Sequence, residues 1–159
     1  MFNIGDKIVY PMHGAGVIES IEEKEILGCR QSYYVMKMPV GDMKVMIPTK
    51  NVDGIGIREV IDGCEVDKVY EILRDQNVNV TNNWNKRYRE NMLKIKSGNI
   101  YEVADVVRIL MIREREKGLS TGERKMLNSA RQILISELVL AEDADQCEIE
   151  TIINDFLKT

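Results

Sequence analysis

The chain has 159 residues, of which 44% are hydrophobic and 30% charged, with a net charge of −4. That balance excludes a disordered chain, no apolar run approaches membrane length, and the length fits one domain or two small ones. Three scattered cysteines (Cys29, Cys64, Cys147) without a CxxC, and a single histidine, His13, point to reduced thiols in a cytoplasmic protein. No metal centre or cofactor is expected from them. The opening Met1–Asp6 has no basic region leading into an apolar core, so no signal peptide is expected.

Residues 1–58 read as strands. Asp6–Tyr10 mixes apolar and charged positions and stops at Pro11. Gly14-Ala15-Gly16 turns the chain into Val17–Glu22, which continues through Glu23–Ile26 to a turn at Leu27-Gly28. Gln31–Met38 holds two tyrosines and a valine, residues that suit a pleated, half-buried surface. Gly41-Asp42 then leads into Met43–Pro48. Short strands at close spacing suggest a small, strongly bent sheet or SH3-like barrel, with an edge left for another protein. His13-Gly14-Ala15-Gly16 lacks the third glycine and following helix of a phosphate-binding loop, and reads as a turn.

Asn51–Gly63 is rich in glycine and turn residues and marks a domain boundary with the character of a hinge. Residues 59–159 are helical. Val66, Val69, Tyr70 and Leu73 follow the i, i+3, i+4, i+7 pattern, and a polar linker, Gln76–Thr81, follows. A helix from Trp84 stops at Ser97-Gly98. Asn99 caps the next, with Glu102 placed as in a capping box, and Val103, Val106, Val107, Leu110 and Met111 form its buried stripe. Gly118 ends that helix, and Ser120 with Glu123 repeats the capping device. A helix over about 121–141 buries Met126, Leu127, Ala130, Ile133, Leu134 and Leu138. A last one, about 145–157, turns Ile149, Ile152, Ile153 and Phe156 inward.

Charge is distributed unevenly. Residues 84–131 carry twelve Lys and Arg against six acids, net +6, whereas residues 132–159 carry one Lys against seven acids, net −6. A basic segment inside an acidic protein predicts a local polyanion-facing surface. It begins at the chain's only tryptophan, Trp84, with Lys86, Arg87 and Arg89 just behind it. Two readings stand open here. The indole stacks on or wedges beside an exposed base while the cations neutralise phosphates, or it is a hydrophobic staple beside an ordinary solvated face.

The ordered set Asp6–Gly16 (DKIVYPMHGAG), Asn83–Tyr88 (NWNKRY), Lys117–Leu127 (KGLSTGERKML), Arg131–Leu134 (RQIL) and Glu137-Leu138 resembles the CarD/CdnL family of bacterial transcription regulators over essentially the whole chain. The resemblance implies a two-domain α+β architecture: a Tudor-like domain over 1–58 that binds the RNA polymerase β subunit, and a DNA-binding bundle of about five helices over 59–159. It implies that Trp84 wedges at the upstream edge of the melted promoter and slows bubble collapse. Lys86, Arg87 and Arg89 stand beside it, and Arg124 and Lys125 are weaker phosphate candidates. It points to Lys24, Ile26, Met46 and Pro48 for the polymerase contact. Relatives often place arginine where Lys24 and Met46 stand, so a less cationic polymerase-facing surface is implied.

Physical chemistry accords with this reading. A few cations give weak, salt-dependent, sequence-blind DNA binding, and tethering through polymerase raises the wedge's local concentration. A monomer is expected, with promoter DNA and polymerase as partners and no membrane. Three rivals stand beside it. An enzyme lacks any visible nucleophile–base pair, metal cluster or paired carboxylates. A helix-turn-helix repressor built on residues 101–117 and 121–141 lacks a face of base-reading side chains. An adaptor binds polymerase and makes no DNA contact.

Overall fold

A computed structural model describes residues 2–41, 43–77 and 83–156. Asp42 of the expected turn, residues 78–82 around the expected linker, and Leu157 at the expected end of the last helix lie outside them. Five antiparallel strands come first: β1 (Lys7–Tyr10), β2 (Gly14–Ile26), β3 (Cys29–Lys37), β4 (Lys44–Pro48) and β5 (Arg58–Glu59). They lie in the order β4-β3-β2-β1-β5. A bulge between Ile18 and Ser20 shifts the β2–β3 register and bends the long hairpin. The bent, antiparallel sheet followed by helices gives the expected two-part α+β architecture.

Strand alternation sorts the side chains onto two faces. Ile8, Ile18, Tyr34, Met36 and Ile47 share the inner face and form a small core closed by Met38 and Val52. On the outer face Lys7, Val9, Ala15 and Arg58 lie against the helical half. Further along that face, the register puts Met46 and Pro48 of β4 in line with Ser20 and Glu22 of β2, with Lys24 and Ile26 following on the same face toward the hairpin tip.

The stretch expected to be a loose boundary is partly built. A 3-10 turn (Thr49–Asn51), a one-turn helix α1 (Val52–Ile55) and β5 occupy it. Two-residue β5 has no readable period; its pairing with β1 (Ile8 with Glu59, Val9 with Arg58) is what defines it. The sheet thus ends at Glu59.

The helical half comprises α2 (Gly63–Arg74), α3 (Trp84–Lys96), α4 (Ile100–Glu116), α5 (Thr121–Glu142) and α6 (Gln146–Phe156). Asp62, Asn83, Asn99 and Ser120 are the N-caps of the first four of these, each accepting from a first-turn amide. The Asn99 carboxamide accepts from Tyr101 N at 2.9 Å, one residue short of the expected capping-box partner. The expected stripes meet in one core, with Leu73, Leu110, Leu134, Leu138, Ile149 and Ile153 fully buried. Among the described residues no helix is long and apolar enough to cross a membrane.

Helix α5 joins the two halves. Ser136 Oγ accepts from Ala15 N at 2.9 Å, and Lys7 Nζ donates to Leu140 O at 3.1 Å. Gly14 (φ +108°) makes this approach possible, because a β-carbon there would come within 2.7 Å of Ser136 Oγ. Arg58 reaches across to Gly98 O (2.8 Å) and to the Glu137 carboxylate. The 51–63 segment is therefore clamped on both sides, where the sequence suggested a hinge.

Candidate nucleic-acid interface

Trp84 is the first residue of α3, set there by the Asn83 cap, which accepts from Lys86 N at 3.3 Å. Three contacts hold the indole. One face stacks on Tyr88, one turn further along, with centroids 5.1 Å apart and planes 20° from parallel. Nε1–H donates to Ser120 Oγ at 3.1 Å, so the N-cap of α5 also fixes the ring. The benzo edge lies by Gly122, where a β-carbon would sit 3.6 Å from Cζ2. With 41% of its surface exposed, the residue is seated in a fixed orientation and still presents a large part of its surface outward.

Arg87 corrects the sequence reading. It was expected among the cations beside the indole, yet it is only 2% exposed. Its Nε donates to Glu123 Oε2 at 2.8 Å and its Nη2 to Glu123 Oε1 at 3.1 Å. Burial pushes the Glu123 carboxyl upward, but hydrogen bonds and charge from Arg87, with Arg113 and Ser120 behind them, hold it below the usual carboxylate range. Arg87 thus ties the first turn of α3 to the first turn of α5. It belongs to the seat of the indole and is not on the surface the indole faces. Glu123 completes only half of a capping box: its amide donates to Ser120 Oγ at 3.2 Å while its carboxylate serves Arg87.

Six other cations of the basic segment divide in two. Lys94 bonds Asp105 at 2.7 Å, and Arg108 bonds Asp105 at 2.6 Å and the Asp75 and Asn77 carbonyls, which pins the chain leaving α2. Lys86, Arg89 and Lys125 are exposed, with no acid in ion-pair reach among the described residues. Arg124, also exposed, makes a long 3.7 Å pair with Glu114. Lys86 and Arg89 stand two and five residues after Trp84 on the same helix, and Arg124 and Lys125 follow Gly122 and Glu123 in the first turn of α5. The geometry offers a half-exposed aromatic ring at the mouth of a helix that also carries exposed cations, groups chemically suited to a base and to phosphates.

Helix α5 is buried from Ile133 to Leu138 between the sheet and the other helices. Its exposed side chains lie mainly in the first three turns, at Arg124, Lys125, Asn128, Ser129 and Gln132. Among the described residues no group of His, Cys, Asp and Glu is placed to hold a metal ion.

At the other end of the molecule the β2–β3 hairpin stands clear of the core, with residues 21–30 all exposed. Lys24 and Ile26 (53% exposed) lie near its tip, and Met46 (36% exposed) and half-buried Pro48 lie on edge strand β4. All four sit on the outer face, the same face that carries α5 at its other end. Helical spacing puts Tyr88 on the same side as Trp84, but sequence reasoning missed Ser120, Gly122 and Glu123 as the rest of the indole's seat. The Ser120–Glu123 cap was legible, but its second use was not.

Residues 68–154 match the family model described as CarD, C-terminal domain, and residues 2–61 match that of the CarD-like/TRCF RID domain. The chain is 45% identical over 151 residues to "Putative transcription factor YdeB" of Bacillus subtilis (strain 168), covering 95% of this chain and 99% of that one. Among solved structures, it is similar to the solution NMR structure of the 72-residue N-terminal domain of Myxococcus xanthus CarD. That match has 30% identity, spans 37% of this chain and 79% of the other, and gives a TM-score of 0.33.

Proposed function

The chain belongs to the CarD family of transcription factors, and on that premise we propose that it holds promoters open by setting Trp84 at the upstream edge of the melted region. Its N-terminal part is of the CarD/TRCF RNA polymerase-interacting type. The outer-face row of Lys24, Ile26, Met46 and Pro48 is its contact with the polymerase β subunit. The observation that carries the reading is the seated indole: half exposed, fixed by Tyr88, Ser120 and the Arg87–Glu123 pair, on a helix whose first two turns also expose Lys86 and Arg89.

Each part follows from general physics. Wedging an aromatic ring into intact duplex costs a few kcal/mol of unstacking, and less where strands already part, so the ring favours the open state. Stacking one base on an aromatic side chain contributes about 1–3 kcal/mol. A ring already locked in place loses little further freedom on meeting its base. Lys86, Arg89, Arg124 and Lys125 add phosphate attraction without sequence readout. Such contacts are too few to bind DNA firmly alone, and the polymerase tether supplies the effective concentration. The clamped Arg58–Glu137 junction fixes the distance between tether and wedge.

Footprinting tests this. On promoter DNA alone the protein is expected to protect no defined site, and with polymerase it extends protection at the upstream bubble edge. A discrete footprint without polymerase would restore a sequence-specific repressor. No added protection with polymerase would leave an adaptor.

A further inference from the structure

A groove of about 220 Å³ lies between α3 and α5, adjoining the seat of the indole through Tyr88 and Gly122. It is lined by Tyr88, Met92, Met126, Lys125, Ser129 and, from the sheet half, Met12. Tyr88 serves both sites, carrying the indole and forming part of the groove wall. Met12 reaches it from the β1–β2 turn in the left-handed region (φ +74°) and is 42% exposed. An unbranched L residue there costs about 1–2 kcal/mol of backbone energy. The chain thus holds an apolar side chain, partly in water and against its own preference, at the far end of the groove.

The chemistry of the walls narrows the occupant. Thioethers are polarizable and adapt to flat aromatic surfaces. Lys125 is the charged residue among the lining side chains, and no acid lines the groove among the described residues. The volume is below the roughly 300 Å³ at which pockets begin to take drug-sized molecules. Ser129 supplies a hydroxyl that both donates and accepts, so any base edge satisfies it. From Trp84 to Tyr88 is one helical turn, about 6 Å along the axis, a step that two adjacent nucleotides span once their stacking is broken.

We propose that this groove receives one unpaired promoter base, the neighbour of the base that meets Trp84, with Lys125 on its phosphate. The proposal rests on the wedge reading above and adds a second nucleotide to it. Extruded bases are bound in this way elsewhere, between apolar or aromatic walls with a polar group at the edge.

The test uses the full chain on polymerase–promoter complexes carrying a photoreactive base at single positions across the upstream bubble edge, with the crosslinked peptide identified. One position is expected to crosslink to peptides containing Met12, Met92 or Met126, and its neighbour to the Trp84–Tyr88 peptide. Ser129→Phe fills the groove from an exposed helical position. Met12→Asp places a carboxylate there, in a backbone conformation aspartate tolerates better than methionine, so this second variant folds even where the first does not. Each is expected to cut the groove crosslink at least fivefold and leave the Trp84 crosslink in place. A Trp84 crosslink without any groove crosslink overturns the second-base proposal alone. So does a groove crosslink that survives Met12→Asp, or crosslinks from that position to polymerase only. Loss of both crosslinks in wild type overturns the wedge reading as well.

Discussion

Arg58 and Glu137 hold the two halves of the molecule together through paired hydrogen bonds, Nη1 to Oε2 and Nη2 to Oε1, each 2.7 Å. The carboxylate is fully buried and also accepts from Ile61 N at 3.0 Å, so one side chain secures both the guanidinium and the backbone entering α2. Removing one member of a buried pair strands the other and costs about 3–5 kcal/mol. Arg58 keeps 30% of its side chain in water, which reduces that to about 2–3 kcal/mol for Glu137→Ala. Thermal unfolding measures the loss. If the pair sets the tether-to-wedge distance, the same variant retains polymerase binding and shortens open-complex lifetime even well below its melting temperature.

The cations of α3 are expected to separate by role. Arg87→Ala leaves Glu123 buried without its partner, destabilises the fold by about 3 kcal/mol and loosens the indole, which tryptophan fluorescence reports. Lys86→Ala and Arg89→Ala are expected to change stability by less than about 0.5 kcal/mol. Each of these two instead lowers the salt dependence of DNA association within the polymerase complex by about one counterion. A salt titration of the three variants distinguishes them.

Acid is expected to release the indole before it melts the sheet. Burial raises the Glu123 and Asp105 carboxyls, but hydrogen bonds from Arg87 and Ser120 in one case, and from Lys94 and Arg108 in the other, outweigh it and lower both. A carboxyl lowered on folding adds stability that is present above its unfolded value and is lost as pH falls through its folded value. The loss therefore begins below about pH 4. Trp84 fluorescence followed from pH 6 downward is expected to shift there, and Glu123→Gln to shift it at neutral pH.

The hairpin tip is built against local preference. Leu27 (φ +54°) and Gly28 (φ +79°) are the central residues of a two-residue turn that favours Asn-Gly, and Leu27 is fully exposed. Leu27→Asn is expected to stabilise the protein by about 1 kcal/mol, read by thermal unfolding. Weaker polymerase binding in the same variant would mark Leu27 as an extension of the Ile26 contact.

The helices were legible because each has its own stripe and stop signal; Val66, Val69, Tyr70 and Leu73 are all buried as their spacing predicts. The β2–β3 hairpin announced itself through Leu27-Gly28 and the tyrosines. Strand β5 did not, since two residues carry no period and only pairing with β1 defines them. The indole's exposure was readable as one of two options, but its seat was not, because Ser120 and Glu123 are 36 residues from the groups they hold. A sign of Arg87's fate was present: it shares an i, i+4, i+8 column with Asn91 and Ile95, both buried. Its charge and the family resemblance placed it with Lys86 and Arg89, and only the fold supplies the acid opposite it.

The most direct test of the wedge is the lifetime of the polymerase–promoter open complex at saturating protein. Wild type is expected to prolong it, Trp84→Ala to shorten it about tenfold relative to wild type, in keeping with about 1.4 kcal/mol of lost stacking, and Lys86→Glu with Arg89→Glu to fall between. Equal lifetimes with wild type and Trp84→Ala, at equal polymerase occupancy, would contradict the account.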